Sequence, residues 1–212
     1  NYEDINGHSV YAKSLSASYK AACISGRRTF IGNIRVWNGS QYEYFNDRMI
    51  ASPINSLDTF PYPDNVLDLD VSDGDEIIAL ASYGDKVMQF KSKIVYIMNI
   101  ATGIASEFFV EERHRWKGIA NRNHYCVTDR GIFWVNERGA WMYDGDELKD
   151  LFILGGDTDE SQQRIGISEW QDFISEESLV GYNALSREVV IAKSHTHSSS
   201  DDSDCYVYSL IV

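Results

Sequence analysis

Proline is nearly missing from this chain, with three in 212 residues, which excludes a proline-rich stalk. Cysteine is as scarce. Cys23, Cys126 and Cys205 lie far apart, each inside an apolar run, so their spacing suggests neither a zinc knuckle nor a disulfide framework. Buried free thiols in a reducing compartment are the expectation. No stretch approaches the roughly 18 apolar residues of a membrane-spanning helix. Helical periodicity is almost absent. Its best run is SEWQDFISEESL (168–179), where Trp170, Phe173 and Ile174 fall at i, i+3 and i+4; a short helix and an extended loop fit it equally. Basic charge is also short, at 19 Lys and Arg against 32 Asp and Glu, a net charge of −13. That is the opposite of the footprint of an ordinary nucleic-acid binder. No serine-nucleophile elbow, phosphate loop, dinucleotide fingerprint or HExxH motif is present. Catalysis has no specific support, and no cofactor is expected.

What the chain does have is aromatic and β-branched surface. Thirteen Tyr, nine Phe and five Trp favour pleated, half-buried strands, and 43% apolar residues are enough for a sizeable core. Short apolar runs alternate with turn residues. In residues 73–110, DGDE opens, EIIALA is a strand, SYGD turns, KVMQFK is a strand, SK turns, IVYIMNI is a strand, ATG turns and SEFFVE follows. This is a four-stranded antiparallel meander. Residues 122–154 repeat the plan: NHYCVT, IFWV, AWMY and ELKDLFIL are separated by DRG, NERG and DGD. Residues 17–52 and 178–212 read as the same unit.

First strands begin near residues 19, 76, 124 and 178, spacings of 57, 48 and 54. A four-stranded unit recurring about every 50 residues is the sign of propeller blades, although independent strands of a β-sandwich imitate it. The expectation is an all-β, β-propeller-like fold of repeated four-stranded antiparallel blades. Residues 1–212 then form one such domain or part of one, with 53–76 as an acidic connector.

Charge is unevenly placed. Residues 49–85 hold eight acids and no base, whereas 113–138 hold Arg113, Arg115, Lys117, Arg122, Arg130 and Arg138 against Asp129 and Glu137. DLDVSDGDE (68–76) imitates a calcium loop, but its glycine comes one place late and Ala79 stands where the bidentate glutamate belongs. HTHSSSDDSD (195–204) sets His195 and His197 on one face of any strand, yet reads as a polar hairpin tip. No metal ligand set is assigned. VTDRGIFW (127–134) keeps the Asp129, Gly131 and Trp134 of a turn found in sialidase-type propellers, with Val127 and Phe133 replacing its serine and threonine. That motif marks a turn and not a catalytic centre. Asp144, Asp146 and Glu147 sit in a DGDE turn, where Asp and Gly are expected for backbone reasons.

The order of segments adds a resemblance. RRTFIGNIRV (27–36), NDRMIAS (46–52), LDTFP (57–61), NVLDLDVSDGDEIIAL (65–80) and GDKVMQFKSKIVYIMNI (84–100) follow one another as in the nozzle, or packaged-DNA stabilisation, proteins of short-tailed bacteriophage tails. GAWMYDGDELKDL resembles the blade ending of that family. The resemblance covers roughly residues 19–151, and the chain is short for the family.

It implies a non-enzymatic virion subunit, assembled in the host cytoplasm and forming a sixfold homo-oligomeric ring below the portal and adaptor. That ring retains the genome and gates its ejection. Genomic DNA would slide past an acidic lumen carrying Asp58, Asp64, Asp68, Asp70, Asp73, Asp75 and Glu76, because like charge repels phosphate. Arg113, Arg115, Lys117 and Arg122 would face neighbouring subunits. Two other classes stay open: a glycan-binding or glycan-cleaving attachment propeller, with Trp134 and Trp141 as its place to look, and a generic protein-interaction propeller.

Overall fold

The computed structural model describes residues 2–3, 17–37, 40–61, 65–69, 74–152, 165–194 and 204–210. The chain divides into two compact units, residues 1–118 and 119–212.

Unit 1 begins with β1 (Tyr2–Glu3), β2 (Ala17–Ser25), β3 (Arg28–Trp37), β4 (Tyr42–Ala51), β5 (Phe60–Pro61) and β6 (Val66–Leu67). Strands β2, β3, β4 and β6 form an antiparallel sheet in that order, while β1 and β5 make a separate parallel pair. The fourth strand of this sheet therefore comes from the segment expected to be a connector (53–76), and block 17–52 supplies only three. The apolar pair Val66–Leu67 is long enough to close on Ile50 and Met49 despite the acids around it. The second sheet follows the expected meander: β7 (Ile77–Tyr83), β8 (Lys86–Lys91), β9 (Ile94–Asn99) and β10 (Phe109–Arg115), in sequential order.

The two sheets of unit 1 pack face to face. Phe30, Met49 and Ala51 of the first meet Ile77, Leu80, Val87 and Met98 of the second. Each large side chain so buried contributes roughly 1.5–3 kcal/mol. The first strands β2 and β7 lie against each other. The opposite face of the first sheet gathers Ile31, Ile34, Ile50 and Phe60. Ile31 and Ile34 are three apart and could not share a face of a regular strand. Asn33 makes it possible: it sits at φ +55° in a bulge that shifts the register between Gly32 and Ile34.

Unit 2 holds a third sheet of β11 (Tyr125–Thr128), β12 (Gly131–Asn136), β13 (Gly139–Tyr143) and β14 (Leu148–Asp150), again sequential. Helix α1 (Ile167–Phe173) follows, and then β15 (Leu179–Asn183), β16 (Glu188–Ala192) and β17 (Cys205–Ser209). This fourth sheet has three strands among the described residues, against the four expected of block 178–212. Strand β11 lies beside β15. Phe133, Val135, Ala140 and Met142 pack with Trp170 and Phe173 of α1 and with Val180, Val189 and Ile191 of the fourth sheet. Of the 168–179 run, only the part up to Phe173 is helical, since Ile174 caps α1 in an extended conformation and Leu179 opens β15; Trp170 anchors the helix through an Nε1–H donated to the Asn136 carbonyl at 2.7 Å. Among the described residues the architecture is all-β with one short α-helix, and no helix is long and apolar enough to cross a membrane.

Candidate functional site

The acids assigned to a channel do different work from one another. Asp64, Asp70 and Asp73 lie outside the described residues. Asp58 is exposed beside Thr59. Asp68 accepts two hydrogen bonds from the Arg48 guanidinium, at 3.0 and 2.9 Å. Asp75 accepts the Ser92 hydroxyl at 2.7 Å and the Lys93 backbone N–H at 2.9 Å, closing the turn between β8 and β9. Glu76 accepts the Lys20 ammonium at 2.7 Å and the Asn33 amide at 2.8 Å. The hydrogen bond from Lys20, then that from Asn33, hold its carboxyl below the usual range. Asp68 and Glu76 therefore stand against a cation, which reduces the bare negative charge this segment presents. The sequence run of acids did not show this, because Lys20, Asn33 and Arg48 arrive from other strands.

The basic residues divide between the units. Arg113 and Arg115 are exposed on β10, the edge strand of the second sheet, with the Arg113 guanidinium 5.3 Å from the Tyr96 ring centre. Lys117 follows, half-buried, and Arg122 is exposed in a 3-10 turn of unit 2. On the same edge strand His114 pairs with Glu112 at 2.6 Å.

Buried polar side chains tie elements together. Arg28 donates to the carbonyls of Ser52 at 2.5 Å and Gly103 at 2.7 Å, and burial lowers its pKa. It lines an open groove of about 540 Å³ with Ile54, Asn65 and residues 103–106. His124 is buried, and neither ring nitrogen has a well-formed hydrogen bond among the described residues. Burial pushes its pKa down, opposed by the nearby backbone of Ser175 and Glu176.

The DGDE turn is a turn first. Asp144 Oδ1 accepts the backbone N–H groups of Asp146 at 3.1 Å and Glu147 at 3.0 Å, and Lys149 pairs with its other oxygen at 2.7 Å. Burial pushes the Asp144 carboxyl up, but these hydrogen bonds outweigh it and hold the group at about 2. Asp129 accepts the Tyr182 hydroxyl and lies 3.8 Å from Arg187. Trp134 is 0% and Trp141 3% exposed, their rings 6.2 Å apart, so neither offers a face to a sugar.

HTHSSSDDSD, apart from Asp204, lies outside the described residues. Among the described residues no group of three or more His, Cys, Asp and Glu gathers to hold an ion. Burial raises the thiols of Cys23 and Cys126 to about 12, whereas Cys205 is exposed on β17 and departs from the expectation of buried thiols.

Trp116 and Asn33 escaped the sequence reading. The only signal for Trp116 was a lone aromatic between Arg115 and Lys117. Asn33 had none, since its role depends on a bulge. The class these features define is an all-β protein of consecutive antiparallel sheets with exposed arginines on an edge strand and acids bonded within the fold. No family model matches the chain, and no curated protein matches it.

Proposed function

We propose that the chain is a structural, non-enzymatic subunit of a short-tailed phage tail, a β-propeller-type nozzle protein whose ring retains packaged DNA and passes it at ejection. The observation that carries this reading is the placement of first strands. β2 lies against β7, and β11 lies against β15. Consecutive antiparallel sheets packed with their first strands adjacent are what radial blades require. The order of segments from RTFIGN to QFKSKIVYI, which resembles the nozzle family, supports the same assignment.

Charge fits a conduit. At −13 the protein repels phosphate, so DNA slides instead of sticking. Of the acids a hydrolase reading would recruit, Asp144 spends its carboxylate on a turn, accepting the backbone N–H groups of Asp146 and Glu147. Partners in this reading are further copies of the chain, a portal and an adaptor.

Cryo-electron microscopy of the particle that carries this chain tests it. The expected result is a sixfold ring in the distal tail with segment 49–85 facing the channel. Density elsewhere in the particle would end the reading, and segment 49–85 far from the channel would end the lumen assignment.

A further inference from the structure

The β10 edge of the second sheet carries exposed apolar surface. Among the described residues, strand β10 pairs with β9 on one side and with no strand on the other. Along it and just past its end, Phe109 (52%) and Trp116 (56%) stand in solvent with Val110, interleaved with Arg113 and Arg115. Trp116 has φ +66°, a left-handed conformation that bulky side chains avoid. Its N–H donates to the Lys93 carbonyl at 2.5 Å. Two residues on, Gly118 passes so close to the Lys91 carbonyl that a Cβ would lie 2.2 Å from it. The fold thus fixes a strained tryptophan outward beside arginines. Strain of this kind is kept where function uses it, and Trp and Arg are the residues enriched at interface hot spots.

Charge selects the occupant. The acids of β10 are answered locally, Glu111 by Lys86 and Glu112 by His114 at 2.6 Å, with Arg113 and Arg115 exposed beside them, whereas unit 2 carries 17 Asp and Glu against 7 Lys and Arg, net −10. On unit 2, α1 and the turn behind it expose Glu169, Asp172, Glu176 and Glu177. Glu169 accepts the Tyr206 hydroxyl at 2.8 Å, a neutral donor that leaves its negative charge in place.

We propose that β10 and Trp116 of one copy dock on the acidic α1 ridge of a second copy, head to tail. The inference rests on the ring-subunit reading and names its contact. Two different patches meeting make a heterologous interface, which propagates into a ring where the rotation closes. The same contact covers an edge strand that would otherwise invite uncontrolled pairing.

Sedimentation velocity of the 212-residue chain, over a range of concentrations at low and high salt, tests it. Assemblies larger than a dimer are expected at low salt, dissociating as salt screens the contact. Trp116→Gly removes the aromatic ring and the backbone strain together. It should retain or raise the melting temperature while weakening assembly by about tenfold or more. Arg115→Glu and Glu176→Lys should each weaken assembly, and the double variant should recover it. If the wild-type chain assembles and these variants assemble equally well, the contact lies elsewhere: the proposal falls and the ring reading stands. A wild-type chain that stays monomeric at every concentration overturns both.

Discussion

Asn33 and Glu76 are 43 residues apart in sequence and meet at 2.8 Å, the Asn33 amide donating to the carboxylate and also to the Ile77 carbonyl at 2.9 Å. Because Asn33 stands at φ +55°, its backbone and its side chain are used at once. Asn33→Ala should lose both and destabilise unit 1 by about 2–3 kcal/mol. Asn33→Gly loses only the hydrogen bonds and should cost about 1 kcal/mol less. Urea titration of both variants decides this; equal losses would show that the left-handed backbone is not the strained element.

Acid should weaken the third sheet through Asp144. Its folded carboxyl is held at about 2, below the ordinary value near 4. A depressed carboxylate contributes stability fully present above the unfolded value and lost as pH falls through the folded one. The window is therefore about pH 4 to 2. Solvent screening limits the effect to about 1 kcal/mol. Asp144→Ala should flatten that part of a pH series of melting temperatures, and an unchanged slope would remove Asp144 from the acid response.

His124 acts with the same sign at higher pH. Burial lowers its pKa, so the folded state prefers the neutral ring. The unfolded chain then takes up the proton first, and stability declines as pH falls below about 6.5. His124→Gln should abolish that decline in denaturant midpoints measured from neutral to mildly acidic pH.

Two glycines should respond in opposite directions. At Gly131, with φ +143°, a Cβ would lie 2.1 Å from the Tyr143 carbonyl oxygen, so Gly131→Ala should cost about 4 kcal/mol or more. Gly181, on β15, has nothing within 4 Å of its Cβ position, and Gly181→Ala should stabilise by about 0.5 kcal/mol. Thermal melts of the pair read both signs.

Trp170→Ala should cost about 3–5 kcal/mol, because the ring is buried among Phe152, Phe173 and Tyr206. Trp170→Phe keeps most of the packing and loses the bond to the Asn136 carbonyl, for about 1–2 kcal/mol. Tryptophan fluorescence during urea unfolding measures both.

Most strands of the second and third sheets were legible in the sequence, although β10 starts and ends later than the run 106–111 that announced it, because a 3-10 turn takes Ala105–Glu107. Their order and tight turns follow from local rules: apolar runs of strand length, punctuated by residues that tolerate positive φ, as at Gly84 with φ +58°. The two turns of α1 were half legible, since Trp170 and Phe173 share a face but the run is too short for periodicity alone to choose a helix.

Tertiary structure decided the rest. Val66–Leu67 becomes a strand only because β4 offers Ile50 and Met49 to pair with. The acids at 68, 75 and 76 are bonded within the fold only because Arg48, Ser92, Lys93, Lys20 and Asn33 come from other strands or turns. Trp116 is held outward by a bond to Lys93 that no local pattern announces. Propensity and turn chemistry act over a few neighbouring residues, whereas partners, bulges and exposure depend on which distant segments share a surface.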